Sequence, residues 1–502
     1  MAILTFDAGT SGLKCSLFSK TGELLGACVG EYPTLYPGEG MAEQRCADII
    51  AALINAINRL KEIVALDQTD AIGLTGTMNG CILLDKAGQP LNNNIIHLDT
   101  RSSKQVERLN AELGSKEYYA RTGNRPDVHY GLPKLMWLKD NAPDVYAMAE
   151  CAVNTKDLIY GFLTGDCFVT DYSDASLFGM LNISTKRWDT DIAAAAGIDA
   201  YKLPELRASY NVCRTLNDKA AKLLGLKSGI PVAVGAGDGP ATTHGSGIYD
   251  DSSAYLTVGS SAWTAALSQK PCFDESMRAF NYIDMDDSRV TVCGTVQCAA
   301  TALDYMLKTV LNVTDANGNI DFAEAEKLCR ESAPGANGVV FLPTLMGERC
   351  PWWDPKARGV LTGLTLTHTR ADMVRAVYEG IAQSLNNCVD VIRENGIPID
   401  RLTLTGGGVK SGVWPQMFAD MFGAETRVHL NPREATSLGA AIAAGVGAGI
   451  YKSFKEAAQA VKTSRAYIPN IKAHKKYVKH TAYYRPMYSN LANAMHASSD
   501  YK

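Results

Sequence analysis

The sequence predicts two related α/β domains with a cleft between them. At 502 residues the chain is longer than the roughly 250–300 residues that one hydrophobic core usually serves. Residues 1–245 begin with strand hairpins and continue with helices and strands, and residues 254–450 repeat this layout. A polar turn separates the two series. We therefore expect domains over residues 1–248 and 249–502, with a helical extension from about residue 452.

The first predicted domain opens with a β-meander. Residues 3–35 alternate between apolar and polar side chains. Apolar side chains then recur at helical spacing from residue 47 to residue 64, and a strand–turn–strand unit follows over residues 71–85. Residues 100–230 are mostly helical and polar, and we interpret them as an elaboration of this domain.

The clearest helix in the chain begins after Thr369, in the second predicted domain. Thr369 can serve as the N-cap with Asp372 at the capping-box position, and apolar side chains follow at helical spacing as far as Cys388. The other elements predicted for this domain are a hairpin over residues 254–268, a strand pair around 289–296, a helix over 299–311, a strand over 401–404, a glycine turn over 405–408 and a helix over 414–422.

The composition is that of a globular protein and argues against several functional classes. The formal net charge is −4, from 49 basic and 53 acidic residues, which predicts neither nucleic-acid binding nor attraction to an anionic membrane. Asp7 interrupts the first apolar run, so we expect no signal peptide, and no long uncharged apolar stretch predicts a membrane span. The 13 cysteines show no C-x-x-C spacing and are predicted to be free thiols in a reducing cytoplasm.

Two glycine-containing turns, far apart in the sequence, are candidate phosphate-binding loops. They lie at residues 7–12 and 259–262, and each connects two apolar strands. Small residues in such turns expose backbone N–H groups and hydroxyls that suit polyphosphate oxygens. Asp7, at the end of its strand, can hold Mg²⁺ through water. A simple hairpin turn also explains this pattern, but the triple glycine at 406–408, between a strand and a helix, favours a phosphate or flat ligand.

Other nucleotide-binding signatures are absent from the sequence. There is no G-x-x-x-x-G-K-[S/T] and no Gly-Lys dipeptide, which excludes a P-loop. No G-x-G-x-x-G follows the N-terminal strand, so a dehydrogenase is disfavoured. Asp238 follows a predicted strand at residues 231–234, and we expect its carboxylate to face an acceptor hydroxyl.

Eight short segments stand out together: DAGTSGLK (7–14), DTR (99–101), TGN (122–124), LPKLMWL (132–138), DYSDAS (171–176), GDG (237–239), FLPTLMGER (341–349) and GGGVKS (406–411). They closely resemble the FGGY carbohydrate kinases, and within that family the chain is most similar to the xylulose kinases. The resemblance covers residues 3–450. It implies two ribonuclease-H-like domains of the actin/hexokinase superfold flanking an active-site cleft. It also implies ATP and Mg²⁺, and phosphorylation of a sugar or polyol hydroxyl.

The resemblance assigns roles residue by residue. Asp238 matches the family's catalytic base, with Gly239 beside it at the acceptor, and Asp7 matches the acid associated with Mg²⁺. In-line phosphoryl transfer needs such a carboxylate on the attacking hydroxyl. The other matches are Thr10, Ser11 and Lys14 in the first phosphate segment, Gly259 and Ser260 in the second, Gly406, Gly407 and Ser411 in the adenosine and ribose segment, and Met78, Asn79, Asp99, Arg101 and His129 around the acceptor sugar.

The sequence departs from the xylulose kinases at the acceptor end. Those enzymes usually carry Met-His where this chain has Met78-Asn79, and a tryptophan where it has His97. Ser261-Ala262 also stands where Thr-Ser or Ser-Gly is more usual in the second phosphate loop, so the loop keeps its hydroxyls but loses a glycine. D-xylulose, phosphorylated at its 5-hydroxyl, is the favoured acceptor. L-xylulose, ribulose, fuculose, gluconate and polyols such as glycerol remain alternatives.

A different functional class is also compatible with the fold. Proteins of the same superfold include non-catalytic nucleotide switches, because a fold does not determine a function. The intact Asp238 and the polar acceptor residues favour the enzyme. The resemblance is compatible with a homodimer, and it implies no nucleic-acid or membrane partner.

Overall fold

Two seven-stranded sheets, one in each half of the chain, organise the computed structural model, which describes residues 1–501. The predicted pair of related α/β halves is confirmed. The strands of the first half are β1 (Ala2–Ala8), β2 (Gly12–Ser19), β3 (Leu24–Glu31), β4 (Glu43–Gln44), β5 (Thr69–Gly76), β6 (Ile82–Leu84), β7 (Asn94–Ile95), β8 (Cys151–Val153), β9 (Val169–Asp171), β10 (Leu181–Asn182), β11 (Arg187–Trp188), β12 (Glu205–Arg207), β13 (Arg214–Thr215), β14 (Pro231–Val232) and β15 (Ala236–Gly237). Its helices are α1 (Cys46–Lys61), α2 (Ser103–Leu113), α3 (Ser115–Thr122), α4 (Gly131–Asn141), α5 (Pro143–Met148), α6 (Thr155–Thr164), α7 (Tyr172–Phe178), α8 (Thr190–Ala196), α9 (Asp218–Leu224) and α10 (Asp238–Gly245).

The second half repeats the mixture of strands and helices. Its strands are β16 (Ser253–Val258), β17 (Ala262–Ser268), β18 (Phe280–Ile283), β19 (Val290–Val296), β20 (Val340–Leu342), β21 (Val360–Thr362), β22 (Arg401–Thr405), β23 (Glu425–His429) and β24 (Thr463–Tyr467). Its helices are α11 (Ala300–Tyr305), α12 (Phe322–Glu331), α13 (Arg370–Glu394), α14 (Trp414–Phe422), α15 (Ala435–Gly447), α16 (Phe454–Ala457) and α17 (Ile471–Asp500).

The two sheets share one arrangement at their centres. In the first sheet, ordered β13-β14-β5-β1-β2-β3 with β15 also beside β5, the β1–β2 hairpin lies next to the parallel strand β5. In the second, ordered β18-β19-β17-β16-β22-β23-β24, the β16–β17 hairpin lies next to the parallel strand β22. Each half therefore brings a hairpin turn and the carboxyl end of a neighbouring parallel strand to one edge.

Helix α15 of the second half completes a core of the first half. Its Leu438 and Ile442 belong to the same apolar cluster as Ile3 of the first sheet. The helix also crosses α10 in direct backbone contact, because a Cβ on Gly439 would lie 1.7 Å from the carbonyl oxygen of Ala241. The two sheets lie on either side of the predicted domain boundary, yet this packing joins the halves. The exact domain limits stay a prediction.

Several elements differ in detail from the predicted ones. The helix predicted over residues 299–311 is α-helical over Ala300–Tyr305 and π-helical over Met306–Val310. The region of residues 100–230 also contains the short strands β8–β13. The extension after residue 452 is not helical throughout, because β24 pairs with β23 and adds an edge strand to the second sheet before α17 begins. Short strands held by backbone pairing carry little side-chain pattern, so periodicity does not reveal them.

All 13 cysteines are free thiols and most of them are buried, as their scattered spacing predicts. No disulfide therefore contributes to the fold, which depends on the hydrophobic cores of the two halves. Among residues 1–501, no helix combines the length and the apolar character that a membrane span requires.

Candidate active site

The carboxylates of Asp7 and Asp238 meet at one edge of the first sheet. Asp7 lies near the end of β1, and Asp238 follows β15 as the first residue of α10. Both strands flank β5 at the same level, because Thr75 is the partner of Asp7 on one side and of Ala236 on the other. Parallel strands end at a common edge, so this register brings the two acids close together.

Asp238 has the surroundings of a general base. Burial raises the pKa of its carboxyl to about 7, and the negative charge of Asp7 acts in the same direction. Hydrogen bonds from backbone N–H groups at the start of α10 partly oppose this shift. A base whose pKa lies near the working pH combines an available unprotonated form with a high affinity for the proton. The chemistry predicted for Asp238 is therefore available to it.

Asp7 is tied to the second half of the chain. The hydroxyl of Ser437, in the first turn of α15, donates a hydrogen bond to Asp7 Oδ2 at 3.0 Å. Burial raises the pKa of Asp7, whereas the charge of Lys14 and this hydrogen bond lower it. Lys14, predicted to contact phosphate, donates to the carbonyl oxygen of Arg433 at 2.7 Å and lies 3.2 Å from Glu434 Oε1. Its ammonium group is thus already engaged by the segment before α15.

The first predicted phosphate loop is a tight turn between β1 and β2. Gly9 N donates to Gly12 O at 2.9 Å, and the carbonyl oxygen of Thr10 accepts a hydrogen bond from Gln44 at 2.7 Å. The backbone N–H groups of Thr10 and Ser11 find no protein acceptor among residues 1–501, and the Ser11 side chain is exposed. Two unpaired N–H groups beside a hydroxyl suit the oxygens of a phosphate.

The second predicted loop lies between β16 and β17 and is one residue shorter than the first. Gly259 N donates to Ser261 O at 2.9 Å, two residues further along the chain, whereas Gly9 N bonds a carbonyl three residues further along. The carbonyl oxygens of Gly259 and Ser260 accept hydrogen bonds from Ala300 N at 3.0 Å and Ala299 N at 2.8 Å, at the start of α11. The Ser260 side chain is exposed, and its backbone N–H has no acceptor in the described part of the chain. Each half therefore offers an unpaired backbone N–H group beside an exposed serine hydroxyl.

The glycine turn after β22 packs against the end of β16. Gly406 has a φ of +83°, and a Cβ there would lie 2.5 Å from the carbonyl oxygen of Val258, so the position requires glycine. Gly407, in contrast, has open space for 4 Å around the position of a Cβ. The Ser411 hydroxyl, predicted to contact ribose, accepts a hydrogen bond from Val413 N at 3.2 Å. That oxygen therefore also supports the start of α14.

Asp99 orients a neighbouring arginine with both of its carboxylate oxygens. It is fully buried, and Oδ2 accepts hydrogen bonds from Ala42 N at 2.6 Å and Arg101 Nη2 at 2.7 Å, while Oδ1 accepts from Arg101 Nε at 2.9 Å. Arg101 also pairs with Glu43 at 2.7 Å and lies over the Trp137 ring, 4.8 Å from its centroid. The sequence predicts that Asp99 contacts the acceptor, whereas its oxygens are engaged by these donors because a buried carboxylate needs partners.

Met78 lies next to the segment that carries the predicted base, and Asn79 follows it in the chain. Met78 packs against Gly237, the residue before Asp238, since a Cβ on Gly237 would lie 2.5 Å from Met78 Cγ. Asn79 has a φ of +71°, and its Oδ1 is buried without a hydrogen-bond partner among residues 1–501. A buried acceptor without a donor costs free energy. A hydroxyl of a bound ligand, donating to this oxygen, would remove that cost.

Lys134 joins two segments that the sequence predicts to line the acceptor, although the sequence predicts no individual role for it. Its buried ammonium group donates to the carbonyl oxygens of Asn79 at 2.6 Å and of His129 at 2.5 Å. Burial lowers the pKa of Lys134 to about 7. His129 itself contacts Asp127 through its Nδ1. A lysine within the apolar segment LPKLMWL is the signal that points to Lys134, because lysine is seldom fully buried without a partner.

Aromatic residues of the second half reach the start of α10. Tyr255 donates its hydroxyl hydrogen to the carbonyl oxygen of Gly239 at 3.2 Å, and Trp263 Nε1 donates to the Tyr255 hydroxyl at 2.8 Å. A Cβ on Gly239 would lie 2.9 Å from the Tyr282 hydroxyl oxygen. Gly239, predicted beside the acceptor, is thus also a close contact between the halves. No pattern in the sequence indicates these tyrosines.

The acids at this edge fit a magnesium ion that is carried mainly by a polyphosphate. Among residues 1–501, no group of three or more His, Cys, Asp or Glu side chains converges as a metal site. Mg²⁺ commonly uses one or two carboxylates together with phosphate oxygens and water. Asp7 and Asp238 provide two carboxylates beside the first predicted phosphate loop, and they are close enough for the charge of Asp7 to raise the pKa of Asp238.

Comparison with known proteins identifies relatives over nearly the whole chain. Sequence models of the FGGY family of carbohydrate kinases match residues 2–245 (N-terminal domain) and 254–448 (C-terminal domain). The chain is 29% identical to the xylulose kinase of Staphylococcus xylosus, over 91% of this chain and 93% of that protein. It is 28% identical to the gluconokinase of Bacillus licheniformis, over 98% of this chain and 96% of that protein. A ligand-bound xylulose kinase from Lactobacillus acidophilus superposes with a TM-score of 0.91 at 27% identity, covering 98% of both chains.

Proposed function

The chain belongs to the FGGY family of carbohydrate kinases, and from this premise we propose that it phosphorylates the 5-hydroxyl of D-xylulose with ATP. The family membership and the superposition also confirm the predicted two-domain fold of the actin/hexokinase type. The observation that carries the proposal is Asp238, a carboxyl with a pKa raised to about 7 at the sheet edge that also carries Asp7 and the first predicted phosphate loop. Xylulose kinases among the relatives support the choice of acceptor.

The proposed reaction is an in-line phosphoryl transfer. Asp238 takes the proton of the acceptor hydroxyl while that oxygen forms a bond to the γ-phosphorus of ATP. The bond from the γ-phosphorus to the bridging oxygen breaks, its electron pair stays on the leaving group, and ADP departs. Asp238 then returns its proton to solvent. No covalent intermediate on the protein is required.

The two loops supply the donors that this transfer needs. The unpaired N–H groups of Thr10, Ser11 and Ser260 would hold phosphate oxygens from both sides of the cleft. Mg²⁺, held by Asp7 with support from Asp238, would lower the negative charge on the phosphates. The exposed surface beside Gly407 would admit the adenosine.

Gluconate is the second candidate acceptor, and Arg349 favours it. Arg349 lies near enough to Glu348, His97 and Asp127 for its charge to lower the pKa of each, but no carboxylate among residues 1–501 lies within ion-pair distance of its guanidinium. Burial and then nearby cations, including Arg349, lower the pKa of His97 to about 4. Burial raises the pKa of Asp127, but hydrogen bonds and charge from His129, together with the smaller effect of Arg349, lower it to about 2. An unpaired guanidinium near these acceptor-side residues would suit the carboxylate of an aldonate.

A coupled assay of ADP release tests the proposal. Purified protein with Mg-ATP is assayed against D-xylulose, L-xylulose, ribulose, fuculose, gluconate and glycerol, and we expect the highest kcat/KM with D-xylulose. Preference for gluconate, lost in an Arg349→Met variant, would support the second candidate instead. ADP release that no acceptor stimulates would contradict kinase activity toward all six compounds.

A further inference from the structure

A fully buried charged cluster lies behind the proposed base. Lys156 is enclosed by three aspartates, with its Nζ 2.6 Å from Asp157 Oδ1, 3.3 Å from Asp171 Oδ1 and 3.7 Å from Asp174 Oδ2. All four side chains are at most 3% exposed. Burying charged groups costs free energy that their mutual attraction seldom exceeds. A role besides stability would explain why so many ionisable groups are buried here.

Ser173 connects this cluster to the strand that carries the base. Its hydroxyl donates to Asp171 Oδ2 at 2.5 Å and accepts a hydrogen bond from Gly237 N at 3.0 Å. Asp171 Oδ2 also accepts hydrogen bonds from Ser173 N at 2.8 Å and from the Ser209 hydroxyl at 2.7 Å. Because the hydroxyl hydrogen points to the carboxylate, a lone pair of the oxygen faces the Gly237 N–H.

The bond from Gly237 to Ser173 replaces a missing strand neighbour. The short strand β15 pairs with β5 on one side through Gly76. On its other side Ser173 is the partner of the Gly237 N–H, which would otherwise be a buried and unsatisfied donor. Gly237 directly precedes Asp238, so the position of the Gly237 amide influences where the Asp238 side chain leaves the backbone.

The same cluster also holds the loop that contains Met78 and Asn79. Asn154 donates to Asp174 Oδ1 at 2.8 Å and to the carbonyl oxygen of Thr77 at 3.2 Å. Its own Oδ1 accepts a hydrogen bond from Gly80 N at 3.0 Å. The base and the acceptor loop are therefore anchored to one buried unit, and their separation is set by it.

We propose that Ser173 is a positioning residue for Asp238, acting through Asp171 on one side and the Gly237 amide on the other. The proposal rests on the proposed kinase function. Ser173 contacts neither substrate nor the reacting atoms. Its hydroxyl holds the backbone that carries the base at the distance required for proton transfer, and Asp171 keeps that hydroxyl in the required orientation.

The test compares Ser173→Ala with Ser209→Ala. Both changes remove one buried hydroxyl that donates to Asp171 Oδ2, but only the first removes the partner of Gly237 N. We expect Ser173→Ala to lower kcat about 10- to 100-fold with KM for ATP changed less than about twofold, because small displacements of a catalytic group cost rate. We expect Ser209→Ala to keep kcat within about twofold of wild type. Ser173→Cys, with a thiol that is a weak acceptor, should give an intermediate kcat, and it serves if the alanine variant does not fold.

Two further measurements separate a positioning role from a loss of stability. Hydrogen exchange at the Gly237 amide should accelerate at least about tenfold in Ser173→Ala and stay unchanged in Ser209→Ala. The acidic limb of the pH profile of kcat/KM should move to lower pH in Ser173→Ala, because a displaced Asp238 is better solvated. Equal loss of kcat in both variants, or unchanged exchange and kcat in Ser173→Ala, would overturn the proposal. The exchange rate of the Gly237 amide does not depend on turnover, so it tests the role of Ser173 even if the protein is not a sugar kinase. Failure of the proposed kinase function is recognised separately, when no acceptor stimulates ADP release by the wild type.

Discussion

Asp7 accepts a hydrogen bond at 3.0 Å from the hydroxyl of Ser437, a residue 430 positions further along the chain. Asp7 lies near the end of the first strand, whereas Ser437 lies in the first turn of the helix that completes the core of the first half. The acid expected to accompany Mg²⁺ is therefore shared by both halves of the protein. Its surroundings depend on how the two halves are docked, which gives domain movement a direct effect on the site.

Replacing Asp238 with Asn should abolish most of the turnover. The amide has nearly the same shape but cannot take the proton of the acceptor hydroxyl, so we expect kcat to fall about 10²- to 10⁴-fold. ATP binding, measured by calorimetry, should be nearly unchanged because the phosphate loops are intact. A variant that keeps most of its kcat would refute the assignment of the base.

The pH profile should report the carboxyl of Asp238. Its pKa is raised to about 7, and the base must be unprotonated, so kcat/KM for the acceptor should fall below pH 7, approaching tenfold per pH unit. Asp7→Asn removes the negative charge that helps to raise this pKa, and the acidic limb should then move to lower pH. Burial would still keep the pKa of Asp238 above the usual range of an aspartate. An unmoved limb in Asp7→Asn would show that the two carboxylates are not coupled.

Alanine at two adjacent glycines should separate folding from ATP binding. Gly406→Ala places a Cβ 2.5 Å from the Val258 carbonyl oxygen at a φ of +83°, and we expect a loss of about 1–3 kcal/mol in the free energy of unfolding. Gly407→Ala meets open space, so the melting temperature should stay unchanged while KM for ATP rises. Unchanged ATP binding in Gly407→Ala would remove that residue from the adenosine site.

Asn79 should contribute to acceptor binding through its side-chain oxygen. Gly tolerates the φ of +71°, so Asn79→Gly keeps the backbone and removes the unpartnered Oδ1. We expect KM for the acceptor to rise in Asn79→Gly at an unchanged melting temperature. Asn79→Ala should show the same rise together with about 1 kcal/mol of lost stability, because alanine is strained at positive φ. An unchanged KM in Asn79→Gly would exclude a contact from this amide.

Local features of the fold were predictable because their causes are local. The cap at Thr369 is confirmed, since the Asp372 carboxylate accepts hydrogen bonds from Thr369 N at 2.8 Å and from the Thr369 hydroxyl at 2.9 Å. The hairpins, the glycine turns and the family membership likewise follow from short segments of sequence. Their hydrogen bonds and conformations involve residues a few positions apart, which a pattern can record.

By itself, the sequence determined the family and the doubled α/β layout, and it predicted the two phosphate loops and Asp238 as the base. Only the tertiary structure decided how those residues are used. Lys14 is engaged by the Arg433–Glu434 segment, the Asp99 oxygens are occupied by Arg101 and Ala42, and Ser173 binds the Gly237 amide. Except for the pair of Asp99 and Arg101, these partners lie tens or hundreds of residues apart. Buried polar groups must find partners wherever packing brings them, and packing is a property of the whole chain.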